Sequence, residues 1–227
     1  MAPLARELAT IRGIIEPLQT ADTLDGQVLE LKKIIEGEGT PPIILIGFSW
    51  GAILSVIMTA RYPSLVDRLV LISSAVYEDK YAVVIGKTRR ERLSEVEKGA
   101  MDNLSVDSIE AMARLERLLY KADAYDPLPY RQEIIDYRPE ILQNVWREAA
   151  EMRGSGELLK LTKRITCPVT AIHGDYDPHP YHGVKEPLER VLKDFRFILL
   201  KSCGHRPWVE RLARDEFYTI IKAEIAK

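Results

Sequence analysis

A chain of 227 residues suits one α/β domain, or one domain carrying a sizeable insertion. Apolar residues make up 46% of it, enough for a substantial core. The net charge of −2, with both signs interspersed, leaves no basic stripe to track a phosphate backbone, which argues against nucleic-acid binding.

In chain order, the start Met1-Ala-Pro-Leu-Ala-Arg-Glu lacks the basic and apolar regions of a secretion signal. No apolar run approaches the roughly 20 residues that span a bilayer. A cytoplasmic protein without a membrane partner is therefore expected. Leu4–Ile11 suits a short helix and Gly13-Ile14-Ile15-Glu16 a short strand. Asp22-Thr23 offers an N-cap, after which Leu24, Val28, Leu31, Ile34 and Ile35 recur at helical spacing. Gly37 and Gly39 stop that helix. Ile43–Ile46 is a continuous apolar run bounded by turn residues, the pattern of a strand buried on both faces of a parallel sheet. Trp50–Ala60 is apolar nearly all round and predicts a buried helix that Tyr62-Pro63 ends. Leu69–Ile72 is a further buried strand. The order β-α-β-α-β predicts an open parallel sheet with covering helices.

From about residue 76 to 163 the charge density rises and strand-like runs nearly vanish. Arg89–Lys98, Ser105–Ala122 and Pro139–Met152 read as amphipathic helices, the second with Val106, Ile109, Ala113 and Leu119 in helical phase. This stretch is expected to be a helical cap over the sheet's active edge, with 1–75 and 164–227 forming the core; a separate helical domain is the alternative. The sheet pattern returns at Val169–His173. Pro187–Leu192 follows as a helix, Phe195–Leu200 as the last strand, and Val209–Ala226 as a closing helix with Leu212, Phe217, Ile220 and Ile221 facing inward. Cys167 precedes one late strand and Cys203 follows the other. If those strands are parallel neighbours, ~3.3 Å per residue puts the thiols about 20 Å apart, too far for a disulfide. Unpaired cysteines agree with a reducing compartment.

Chemistry concentrates in three loops. Gly47-Phe48-Ser49-Trp50-Gly51 lies between a strand and a helix. A nucleophile on so sharp a turn needs small neighbours, and the turn lifts the serine hydroxyl above the sheet at a helix N-terminus. Trp50 N–H would be one oxyanion donor. Asp177 lies beyond the strand Val169–His173 and can hold a histidine in one tautomer, with Asp175 as its rival. His205, in Cys203-Gly204-His205, lies beyond the last strand. All three fall on the sheet's carboxyl edge, where ligands bind in open α/β sheets. Their order, Ser, Asp, His, makes the set far more specific than any member. Asp175, Asp177, His179 and His182 could hold a cation, but they match no zinc spacing and Pro178 and Pro180 stiffen the stretch, so no metal is expected. A Cys203–His205 nucleophile pair is disfavoured because residues two apart on a loop do not normally face each other.

These residues resemble the α/β-hydrolase superfamily, and more closely its proline iminopeptidase-like members. Gly-x-Ser49-Trp50-Gly is similar to that group's elbow, Ile172-His-Gly-Asp-Tyr-Asp177 to its acid loop and Cys-Gly-His205 to its base loop. Leu115–Pro127 resembles part of its cap. The likeness runs from about Gly13 onward. It implies an α/β-hydrolase fold and hydrolysis of a small ester, amide or short peptide through an acyl-enzyme, with release of N-terminal proline as the subgroup's activity. Ser49 is then the nucleophile, His205 the base and Asp177 its support, with no cofactor; Phe48, Tyr120 and Trp146 would shape the pocket.

One departure carries expectations of its own. Relatives begin with about three more strands and a His-Gly-Gly-Pro-Gly-like loop that supplies the second oxyanion donor. Without them, a strand near Gly13–Glu16 shifts over to pair with Ile43–Ile46, or another chain fills the gap in a homo-oligomer, or the sequence is a shortened form of a longer protein. N–H groups near Ala2 offer a substitute donor, although Pro3 has none. Losing one donor costs about 10²–10³ in turnover. The alternative reading is thus a catalytically weak hydrolase-like protein that binds a ligand or partner in the cap cleft. Lyase chemistry on the same triad is a third.

Overall fold

A computed structural model describes residues 1–104, 108–130 and 138–226 of the chain. Helix α1 spans Ala2–Leu8 and α2 spans Leu24–Glu38, where Thr23 Oγ1 accepts the Gly26 N–H as the N-cap. Strand β1 (Ile43–Phe48) leads into α3 (Trp50–Arg61), and a short 3-10 turn leads into β2 (Val66–Ile72). Among the described residues six helices follow before the next strand: α4 (Asp79–Ala82), α5 (Ile85–Glu91), α6 (Glu95–Asp102), α7 (Ile109–Asp123), α8 (Pro139–Gly154) and α9 (Glu157–Thr162). Strand β3 (Val169–Gly174), α10 (His182–Val191), β4 (Phe195–Leu200) and α11 (Arg214–Ala226) complete the chain.

The four strands are all parallel and lie in chain order, β1-β2-β3-β4. Right-handed crossovers that always step the same way put every connecting helix on one face. The packing agrees. Leu69 and Leu71 of β2 face a cluster with Ile57 of α3, Leu158 of α9 and Leu188 of α10. The alternate residues Val70 and Ile72 face Leu4 and Leu8 of α1 and Phe217 and Ile221 of α11. The expected α/β architecture is therefore present, and Ala52–Ala60 of α3 is buried throughout. Among the described residues no helix is long and apolar enough to cross a membrane.

Several expectations are corrected. Gly13–Glu16 is not a strand and does not pair with β1, which lies at the sheet's edge. Ile14 packs against the cluster that holds Leu4, Leu8 and Phe217, whereas Ile15 is 48% exposed. Being an edge strand, β1 is only half-buried, not covered on both faces as its apolar run suggests, while all six residues of β3 are buried. The helix expected over Arg89–Lys98 is two, because Ser94 starts α6 with a capping box to Glu97. The helix expected at Pro187 begins at His182 and contains the proline. The carbonyl of Gly183, which Pro187 cannot serve, accepts the Tyr77 N–H at 3.0 Å instead. The closing helix starts only at Arg214, so its phase does not reach Leu212, which is 64% exposed; Ala213 is buried in its place. Of the residues placed on the Ser105–Ala122 helix, Ser105, Val106 and the Ile109 side chain lie outside the described residues.

Candidate active site

The carboxyl ends of β1, β3 and β4 deliver three polar side chains to one edge. Ser49 follows β1 with φ 52°, ψ −116°, in the positive-φ region that a residue with a Cβ rarely enters. What allows the turn is Gly47: a Cβ there would lie 2.4 Å from Gly51 O and 2.6 Å from the Ala52 Cα. Gly51 is different, since a Cβ on it would meet nothing within 4 Å. The steric need read from the sequence thus holds for the first glycine of the motif and not for the second. Trp50 opens α3, so its N–H is among the first-turn donors that a helix leaves without an intrahelical partner.

His205 Nε2 lies 3.0 Å from Ser49 Oγ, and His205 Nδ1 lies 2.7 Å from Asp177 Oδ2. The hydroxyl, imidazole and carboxylate predicted from three separate loops therefore form one hydrogen-bonded line. Burial works against the charge on Asp177, yet the surrounding histidines His205, His173 and His179 outweigh it and hold the carboxyl well below the usual carboxylate range. An ionised carboxylate can only accept, so His205 Nδ1 carries the hydrogen and Nε2 is left to accept the Ser49 O–H. His173 and His179 are themselves pushed down by burial against the pull of Asp177; the His179 Nδ1–H donates to Asp177 Oδ1 at 2.8 Å, and the His173 Nε2–H to His179 O at 2.9 Å.

Backbone contacts hold the base loop. The His205 N–H donates to Asp123 O at 2.8 Å, while the Asp123 carboxylate takes both arms of Arg89 at 2.7 and 2.8 Å. The Gly204 N–H donates to the buried Glu210 carboxylate, and a Cβ at Gly204 would sit 2.0 Å from Asp123 O. The acid loop is braced by the Arg92 guanidinium, 3.6 Å from the centre of the Tyr176 ring.

The rivals named from sequence do not join this line. Asp175 is exposed; it accepts the Cys203 N–H at 3.3 Å and lies 3.6 Å from Lys201 Nζ. His182 is exposed and pairs with Glu186 at 3.3 Å. Among the described residues, Asp177, His179 and His205 do lie close enough to hold a cation. In the structure the two histidine Nδ1 atoms lie at hydrogen-bond distance from Asp177, His179 at 2.8 Å from Oδ1 and His205 at 2.7 Å from Oδ2. Cys203 is fully buried and its thiol is pushed well up, first by burial and then by Glu210, so it is no thiolate nucleophile. Both cysteines are free.

Of the three residues expected around a pocket, Phe48 packs on His205 and Trp208, with ring centres 5.0 and 4.7 Å apart. Trp146 of α8 meets Trp50 at 5.6 Å, and the Trp50 indole N–H donates to Gln27 Oε1 at 3.2 Å. Tyr120 lies farther along α7, donating to Leu128 O and lying under Arg206. Sequence pattern alone does not single out His173 and suggests for His179 only a metal role; the signal for both is their spacing around Asp177 in His-Gly-Asp-Tyr-Asp-Pro-His.

A family model described as alpha/beta hydrolase fold matches residues 23–211. The chain belongs to the α/β-hydrolase fold family. Solved structures agree at the level of fold. A thermophilic esterase from Thermogutta terrifontis superposes with a TM-score of 0.62 at 18% identity, covering 99% of this chain and 84% of that one. The protein VinJ gives 0.62 at 16% identity, covering 90% and 72%. Proline iminopeptidase from Mycobacterium smegmatis gives 0.59 at 16%, covering 94% and 76%. The likeness of this α/β hydrolase to the iminopeptidase is thus one of structure.

Proposed function

We propose that the protein is a serine hydrolase that cleaves a small ester, amide or short peptide through an acyl-enzyme. The observation that carries the reading is the continuous line from Ser49 Oγ through the His205 imidazole to Asp177. His205 Nε2 takes the hydroxyl proton as Ser49 Oγ attacks the substrate carbonyl. Asp177 stabilises the imidazolium, and the Trp50 N–H faces the developing oxyanion at the head of α3. The imidazolium then gives its proton to the leaving group. Water, activated by the same imidazole, releases the acyl group and restores Ser49.

Residues 76–163 act as a cap in this scheme. The Trp50–Trp146 and Leu24–Glu148 contacts seat α8 beside the elbow, and Phe48, Tyr120 and Trp146 shape the acyl side of the cleft. The similar structures include enzymes named esterase and iminopeptidase, which supports hydrolysis and leaves the acyl group open. Two free cysteines support a reducing, cytoplasmic setting.

A fluorophosphonate probe on the intact protein tests the reading. The expected result is one covalent adduct on Ser49, absent from Ser49→Ala. No labelling, or equal labelling of Ser49→Ala, removes it. Inertness toward ester, amide and aminopeptidase substrates alongside measurable ligand affinity would favour a hydrolase-like binding protein instead.

A further inference from the structure

Three of the chain's four histidines gather around the single carboxylate of Asp177. Its two oxygens are not used alike. Oδ2 takes the His205 Nδ1–H at 2.7 Å. Oδ1 takes two donors from His179, the backbone N–H at 2.9 Å and the ring Nδ1–H at 2.8 Å. The His179 ring also lies along the His205 ring, with centres 4.7 Å apart and planes 29° from parallel. His173 closes the set from β3, its Nε2–H donating to His179 O at 2.9 Å.

Building on the serine-hydrolase reading above, we infer that His179 is a positioning residue, which fixes Asp177 through Oδ1 so that Oδ2 stays aimed at His205. The terminal torsion of an aspartate is broad and two-fold, so nothing in Asp177 itself selects one orientation. The backbone bond alone leaves Oδ1 with one partner on one side. The ring supplies the second from a different direction, and two directed bonds stop the carboxylate from swivelling. Pro178 and Pro180 flank His179 and hold φ on either side of it, which makes the ring's approach reproducible.

Neutrality matters to this role. The ionisable groups that bear on His179 are Asp177, His205 and Arg89. Burial keeps its imidazole below the usual range even though Asp177 pulls the other way. His179 therefore does not compete for the proton that His205 must accept from Ser49. A residue needed only to fill space would be replaceable by any ring of similar size; a positioning residue is replaceable only by another donor.

That difference sets the experiment. His179→Phe keeps a ring and loses the donor, while His179→Asn loses the ring and presents an N–H near the position of Nδ1. Two quantities are read on the whole protein, the rate of fluorophosphonate labelling at Ser49 and the low-field proton resonance of the His205–Asp177 hydrogen bond. His179→Phe is expected to label up to about 100-fold more slowly and to shift or broaden the resonance. His179→Asn is expected to recover most of both. A His179→Phe protein with wild-type rate and resonance overturns the inference, as does a His179→Asn protein as impaired as His179→Phe. If His179→Phe does not fold, His179→Leu, equally unable to donate, takes its place. Should the wild-type protein itself fail to label, the hydrolase reading falls, and the resonance, which needs no turnover, still decides whether His179 holds Asp177.

Discussion

The Glu210 carboxylate accepts the Gly204 backbone N–H at 2.8 Å, one residue before His205. The same fully buried side chain accepts the N–H groups of Tyr125 and Asp126, each at 2.9 Å, and so joins the base loop to the segment leaving α7. Glu210→Ala would strand three donors, at ~1–3 kcal/mol for each one left buried and unpaired. The expected loss is about 3 kcal/mol or more in urea unfolding, with slower labelling of Ser49 because the His205 loop is freed. Glu210→Gln keeps one acceptor oxygen and should lose less on both measures.

The two glycines of the elbow should respond in opposite directions. Gly47→Ala drives a Cβ into backbone atoms that cannot yield, so a destabilisation of about 3 kcal/mol or more, or failure to accumulate as folded protein, is expected. Gly51→Ala meets open space inside α3 and should stabilise by about 0.5–1 kcal/mol, the usual difference between the two residues in a helix. Thermal melts of the pair measure this directly. A Gly51→Ala protein as damaged as Gly47→Ala would mean that the second position meets a steric limit the fold does not show.

Stability should fall on mild acidification. His173 and His179 are both held below the free imidazole range, chiefly by burial. Between their folded values and about 6.5, the unfolded chain therefore binds more protons than the folded one, and stability rises with pH. Below about pH 6.5 each histidine should remove up to about 1.4 kcal/mol per pH unit. Asp177, held low, is ionised in both states through that window and adds nothing until the pH is lower still. Urea unfolding between about pH 5 and 7 should show the slope, and His173→Gln should flatten it. A slope unchanged by that substitution would assign the effect elsewhere.

Cys203 is expected to stay silent toward thiol reagents until the protein unfolds, given its burial and its raised pKa. Cys203→Ala should preserve labelling of Ser49. If the substitution abolished labelling in a protein that still folds, the thiol would be closer to the chemistry than its geometry allows.

The site is legible because each of its three groups lies in the loop just beyond a strand that can be recognised by itself. Ile43–Ile46, Val169–His173 and Phe195–Leu200 are apolar runs bounded by turns, and parallel strands bring their carboxyl ends together. What misled was what an apolar run cannot state, namely whether a neighbour exists to pair with it. Gly13–Glu16 has strand-like composition without a partner, and Ile43–Ile46 has the composition of a central strand at an edge. Leu212 was misplaced because helical phase was carried back through a turn. His179 could not be ranked from sequence, because its importance lies in which oxygen of Asp177 it touches and in the ring it lies along.

Among the described residues the crossover helices cover one side of the sheet, and the helices that roof the other are α1 and α11, tied by the Lys222–Glu7 ion pair. Leu4 and Leu8 are 1% and 2% exposed, so the opening residues are a structural shingle and not a dispensable tail. Trimming them would wet Val70 and Ile72, in the strand beside the one that ends at Ser49. Affinity handles and deletions at either end of this chain therefore act on the floor beneath Ser49, although both ends lie away from the Ser49–His205–Asp177 line.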